Sequence, residues 1–198
     1  MNLPNKITVL RIILVPIFMI FAFPLPAFVS GLNTVIPQIV IDIICFAVFL
    51  IATLTDMLDG KIARKYNLIT DFGKFLDPIA DKLLVAAALC AIAVKRPIYM
   101  WALMVVLIRE FVVTGFRLVA SSKGVVIAAG KLGKWKTATQ TVGLCILLGA
   151  PIVGYFLEIL GTVVRWTGDA VMLVSVVLTI VSGIEYLVKN WSLMDGEM

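Results

Sequence analysis

Six stretches of this chain are long and apolar enough to cross a lipid bilayer, and that constraint precedes every other. They run from about Ile7 to Phe28, Pro37 to Arg64, Gly73 to Val94, Pro97 to Ala120, Thr137 to Leu160 and Val164 to Val188. A span needs about 20 predominantly apolar residues, and in hydrocarbon the backbone must satisfy its own hydrogen bonds, so each stretch is read as a helix. The composition agrees: 62% of the 198 residues are hydrophobic and the mean hydropathy is +1.09, where soluble domains are roughly 45–50% apolar. The expected fold is an all-α integral membrane protein, a single domain over residues 1–198, with six transmembrane helices and a short N-terminal interfacial helix starting near Pro4. Lys6 and Arg11 precede the apolar run "IILVPIFMIFAF", but no small-x-small cleavage pattern follows. The segment is therefore read as retained rather than as a signal peptide. Pro16 is a kink that a membrane helix tolerates.

Charge gives the orientation. Except for Lys95, Arg96 and Arg165, and for Lys82 and Arg109 inside spans, every lysine and arginine falls on the side of both termini. Basic loops stay in the cytoplasm, so both termini are placed there, in a multi-pass protein of the cell membrane. The net charge of +5 is then contact with anionic headgroups rather than with nucleic acid. No histidine is present, which removes the commonest general base and zinc ligand. Cys45, Cys90 and Cys145 each stand alone in an apolar run and read as small buried hydrophobes.

Against this background "DMLDGKIAR" and "GKFLDPIADK" are out of place. Asp56 and Asp59 are three apart near the end of the second span; Asp77 and Asp81 are four apart near the start of the third. Both spacings put the pair on one helical face, and the short link "KYNLITDF" makes the two helices antiparallel neighbours. Asp81 lies seven residues beyond Lys74, roughly 10 Å into its span at ~1.5 Å per residue. One charge at the bilayer centre costs about 2.5–3.5 kcal/mol, and mutual repulsion adds to that, so cations must compensate. All-oxygen ligation points to two divalent ions, Mg²⁺ or Mn²⁺, an arrangement suited to phosphoryl displacement. A Ca²⁺ site, an ion-pair network that only joins helices, and a cation transport path are the other readings of the same carboxylates. Gly60, Ala63 and Gly73 leave room on that face for a bulky ligand or a close helix.

The pattern Asp56-x2-Asp59-Gly60-x2-Ala63-Arg64-x8-Gly73-x3-Asp77-x3-Asp81 resembles, at every position, the signature of the CDP-alcohol phosphatidyltransferases. The resemblance implies two metal ions bound by the aspartates, a homodimer, and transfer of a phosphatidyl group from CDP-diacylglycerol to an alcohol with release of CMP. It implies metal ligation by Asp56, Asp59, Asp77 and Asp81, with Asp81 also the general base. It implies a cytidine-nucleotide site at Asp56, Gly60, Ala63 and Arg64.

The remaining cations bear on the acceptor. Arg109 and Arg117 are eight apart and share a face of the fourth span, beside Glu110. Lys131, Lys134 and Lys136 follow at the mouth of the fifth. Arginine forks suit a phosphate-bearing acceptor, and Arg109, Arg117 and Lys134 are the candidates to hold it. Pairing of Arg109 with Glu110, and of the lysines with headgroups, is the plainer alternative. "LPNKITVLRI", "REFVVTGFR", "AAGKLGKWKTATQT" and "SGIEYL" resemble the branch of the family that uses sn-glycerol 3-phosphate. The N-terminal segment with Asn5, Thr8 and Arg11 is expected near the nucleotide cleft or as an interfacial anchor. A sister enzyme using inositol phosphate and a divalent-cation-coupled transporter are the competing functions.

Overall fold

The computed structural model describes residues 3–23, 36–65, 71–122, 124–125 and 130–191, with side chains over 8–23, 36–56, 79–121, 124–125 and 130–191. These residues form six helices: α1 Leu3–Ala22, α2 Gln38–Lys65, α3 Asp71–Lys95, α4 Tyr99–Ser122, α5 Lys131–Phe156 and α6 Glu158–Asn190. Three stretches among them are long and apolar enough to cross a membrane: Gln38–Asp56, Lys131–Phe156 and Glu158–Asn190. Thr8–Ala22 is a shorter apolar helix.

Several expected boundaries move. α1 runs unbroken from Leu3 through Pro16, so the expected interfacial stretch and the first apolar run are one helix. The expected continuation of that run to Phe28 lies outside the described residues. The helix of the fifth apolar stretch begins earlier than Thr137: Lys131–Lys136 already belong to α5, and residues 126–129 before it lie outside the described residues. α5 and α6 are separated by Leu157 alone, which is extended. The turn is that tight because Gly154 and Gly161 face each other across it, and a Cβ on Gly161 would overlap the Gly154 backbone.

α1 lies between α2 and α3 and contacts both, whereas α2 and α3 touch each other sparsely among the described residues. Among the described residues, the two helices flanking the short link are joined mainly through the N-terminal helix. Their shared core contains Val15, Phe18, Cys45, Phe49, Ala52, Leu84 and Ala88. α5 and α6 form the most extensive pair, α4 packs on α3 and α6, and α5 also meets α2. α6 turns Gly168, Met172, Ser175, Thr179, Ser182 and Gly183 inward, a small-residue stripe of the kind that lets membrane helices approach. Two of its hydroxyls are satisfied locally: Thr179 Oγ1 donates to Ser175 O at 2.7 Å and Ser182 Oγ to Thr179 O at 3.2 Å. Large apolar side chains such as Trp101, Phe111, Leu118 and Ile159 point outward, as a lipid-facing surface requires.

Charged groups collect at two opposite ends. At one, Lys95 pairs with Asp42 at 2.6 Å. Beside it Arg96 grips Asp169 with two bonds of 2.6 and 2.8 Å while Tyr99 Oη donates to the same carboxylate. The Asp169 hydrogen bonds push the Arg96 guanidinium still further above its ordinary range. At the other end stand Arg11, Asp56, Asp81, Glu110 and Lys136.

Candidate active site

Asp56 marks the end of the apolar stretch of α2, and it is met there by α1. Arg11, 1% exposed, places Nη1 2.5 Å from Asp56 Oδ1. Burying a guanidinium this deeply is costly unless a carboxylate compensates its charge, and Asp56 does so. Asp81, on the third turn of α3, lies close enough to Asp56 for the two carboxylates to repel, and within electrostatic reach of Arg11, Glu110 and Lys136. Two aspartates from different helices therefore do approach one another. Asp59, Gly60, Ala63, Arg64 and Asp77 lie outside the residues whose side chains are described. Among the described residues no group of three or more metal-binding side chains forms. The donors that are described at this point are carboxylate oxygens, the chemistry a hard divalent cation prefers.

Asp81 opens onto a cavity of about 360 Å³ between α3, α4 and α5. Its polar wall consists of Asp81, Lys82, Glu110, Thr114, Lys136, Thr137 and Gln140; the rest is apolar, with Ile79, Leu83 and Phe111 also exposed on the lipid-facing side. Glu110 organises the cations. Its Oε1 accepts from Lys136 Nζ at 2.5 Å and from Arg109 Nη1 at 2.9 Å, and Lys82 Nζ stands 3.7 Å from Oε2. Lys82 also donates to Thr114 Oγ1 at 2.6 Å. The cluster carries three cations around one carboxylate, with Asp81 as the second anion facing them. Lys136, whose side chain is 5% exposed, keeps two further donors beyond its bond to Glu110.

Arg109 and Arg117 do share one face of α4, as their spacing requires, and that face is turned to α6. Arg109 runs through a slot made by two glycines: its Cγ would lie 3.2 Å from a Cβ on Gly183 and its Nη2 3.5 Å from one on Gly133. The Arg117 guanidinium sits 5.7 Å over the Tyr186 ring and is exposed. Lys131 and Lys134 are exposed as well, and none of these four lines the cavity onto which Asp81 opens. Glu110, one position on from Arg109 and rotated by about 100°, points to that cavity instead. Lys136, Lys82 and Gln140 are the cavity groups the sequence did not rank. A lysine and a glutamine four apart, entering the apolar run "TVGLCILL", are the signal that marks them, since polar groups inside a span face the bundle interior.

The model of the CDP-alcohol phosphatidyltransferase family matches residues 1–181. A Bacillus subtilis protein named CDP-diacylglycerol–glycerol-3-phosphate 3-phosphatidyltransferase is 44% identical over 191 residues, covering 96% of this chain and 95% of its own length. A Rickettsia typhi protein of the same name is 33% identical over 189 residues, covering 93% and 94%.

Proposed function

We propose, from the premise that the chain belongs to the CDP-alcohol phosphatidyltransferase family, that it transfers the phosphatidyl group of CDP-diacylglycerol to sn-glycerol 3-phosphate, giving phosphatidylglycerophosphate and CMP. The observation that carries this reading is that Asp81 shares one cavity with Lys82 and Lys136, so a carboxylate able to take a proton faces cations able to hold a phosphate. Relatives of nearly the same length that bear this activity in their names support the choice of acceptor.

The chemistry is a displacement at phosphorus. The acceptor's primary hydroxyl gives its proton to an Asp81 oxygen. The hydroxyl oxygen forms a bond to the phosphatidyl phosphorus as the pyrophosphate P–O bond breaks, and the electron pair leaves with CMP. Lys136 and Lys82 hold the acceptor's phosphate inside the cavity. Arg117 and Lys134, exposed beyond it, draw the dianion to the mouth, and Arg109 braces Glu110. Asp56, Asp59, Asp77 and Asp81 would hold two divalent ions, Mg²⁺ or Mn²⁺, which when bound supply charge neutralisation at the pyrophosphate. Gly60, Ala63 and Arg64, with Asp56, complete the nucleotide site. The exposed apolar rim at Ile79, Leu83 and Phe111 suits a lipid that arrives laterally. In this reading the chain crosses the membrane six times, acts at the cytoplasmic face and works as a homodimer.

The test is CMP release by purified protein from CDP-diacylglycerol with Mg²⁺, with and without sn-glycerol 3-phosphate. Release that depends on the acceptor is expected. Release only with inositol phosphate keeps the family and changes the acceptor; no release with any acceptor defeats the reading.

A further inference from the structure

Among the described residues, the cavity-wall cations Lys82 and Lys136 and the Thr137 hydroxyl each donate a hydrogen bond, while one buried amide donor does not. Lys136 donates to Glu110, Lys82 to Thr114, and Thr137 Oγ1 to Gly133 O at 3.1 Å. Gln140 is 2% exposed, lines the same cavity, and its Nε2 is buried with no hydrogen-bond partner among the described residues. A buried amide left unpaired is destabilising and needs an explanation. On α5, Gln140 lies four residues beyond Lys136, on the same face and about 6 Å deeper. A three-carbon chain with bonds of ~1.5 Å fits that interval. A phosphate held at Lys136 would put the carbon chain beside Gln140, with the Asp81 wall across from it.

We propose that the Gln140 amide donates a hydrogen bond to the acceptor's secondary hydroxyl, so that the cavity selects a phosphate ester of a vicinal diol rather than of a simple alcohol. The inference rests on the transferase reading above and adds a specificity-determining residue to it. Lys136 and Lys82 recognise only the phosphate, and Asp81 only the hydroxyl that attacks. The neighbouring hydroxyl is the one part of the acceptor that no group assigned above contacts, and Gln140 is the one buried cavity-wall side chain whose donor atom makes no hydrogen bond among the described residues. A site built to hydrogen-bond a hydroxyl rejects the analogue that lacks it, because its own polar group is then stranded.

The experiment compares sn-glycerol 3-phosphate with 3-hydroxypropyl phosphate, which keeps the phosphate and the primary hydroxyl but lacks the secondary one. CMP release is measured for both with the full-length protein and with Gln140→Met, which preserves side-chain length. The kcat/KM ratio of the two acceptors is internal to each preparation, so a partly unfolded variant still reports it. The unchanged protein is expected to favour glycerol 3-phosphate by roughly ten- to a hundredfold, and Gln140→Met to bring the ratio within about threefold of one. If Gln140→Met has no activity, Gln140→Asn, which retracts the amide by one methylene, is read in its place and is expected to give an intermediate ratio. An unchanged protein that does not discriminate overturns the proposal, and so does a variant that discriminates as strongly as the unchanged protein. An unchanged protein that uses neither acceptor overturns the transferase reading itself.

Discussion

Replacing Lys136 by methionine separates binding of the acceptor from stability of the fold. The stem is kept and the ammonium removed, together with its 2.5 Å contact to Glu110. Breaking a buried ion pair outright costs about 3–5 kcal/mol, because the remaining charge is stranded. Here Glu110 retains Arg109 at 2.9 Å and Lys82 at 3.7 Å, so the penalty should fall to about 1–2 kcal/mol, within the roughly 5–15 kcal/mol that holds a domain together. The functional loss is larger. A charge-assisted hydrogen bond to phosphate contributes about 1.5–3 kcal/mol, equivalent to roughly a 10- to 150-fold loss of kcat/KM for the acceptor. The KM for CDP-diacylglycerol should move by less than about threefold. Steady-state CMP release with each substrate varied in turn measures both. Equal losses toward the two substrates would refute the assignment. So would restoration of activity in Lys136→Met/Glu110→Gln, since that would show Lys136 serving only to neutralise Glu110.

Asp81→Asn should abolish CMP release while leaving the unfolding temperature nearly unchanged; a variant with normal turnover would remove Asp81 as the base. Chelation of divalent ions should stop CMP release, and Mg²⁺ or Mn²⁺ should restore it; activity that persists in chelator would count against metal ligation by the aspartates. Arg117→Ala should raise the acceptor KM at low salt and lose that effect near 1 M salt, where screening reaches ~3 Å; an effect independent of salt would place Arg117 in direct contact with the acceptor. Gly161→Ala should destabilise by about 1–3 kcal/mol through overpacking against Gly154, whereas Gly143→Ala, whose Cβ would meet Met172 and Val171 at an ordinary 3.4 Å, should not. Thermal unfolding followed with a thiol-reactive dye reads both, because Cys45 is buried and Cys90 and Cys145 are half-buried; equal melting temperatures for the two variants would contradict the close approach at the α5–α6 turn.

The helical architecture was legible because hydrocarbon leaves few alternatives, and the aspartates stood out because nothing apolar explains them. The pairing of helices was less legible. A short link between α2 and α3 implies adjacency, but among the described residues each packs more on α1 than on the other, and loop length carries no information about an element that arrives from earlier in the chain. The partner of Arg11 was hidden for the same reason, since Asp56 is remote in sequence and the two meet only through that packing. On α4 the spacing placed Arg109 and Arg117 on one face but could not say which neighbour that face would meet. Gly183 and Tyr186 on α6 decide it, leaving Glu110 to gather Lys136 and Lys82. Glutamine at 140 carries no formal charge for a sequence pattern to mark; its burial with no hydrogen-bond partner for Nε2 among the described residues is what distinguishes it.

The position of α1 also sets an order of assembly. The helix made first contacts neighbours on both sides that are made later, and at about 5–20 residues per second the chain needs several seconds to reach the end of α3. Until then Arg11 has no Asp56 beside it, and a lone guanidinium stays near the headgroups, where water can still solvate it. Arrival of α2 provides the carboxylate that lets the guanidinium sink to its buried position, and arrival of α3 closes the other side. Asp56 and Asp81 thus come together beside a helix that the ribosome has already delivered.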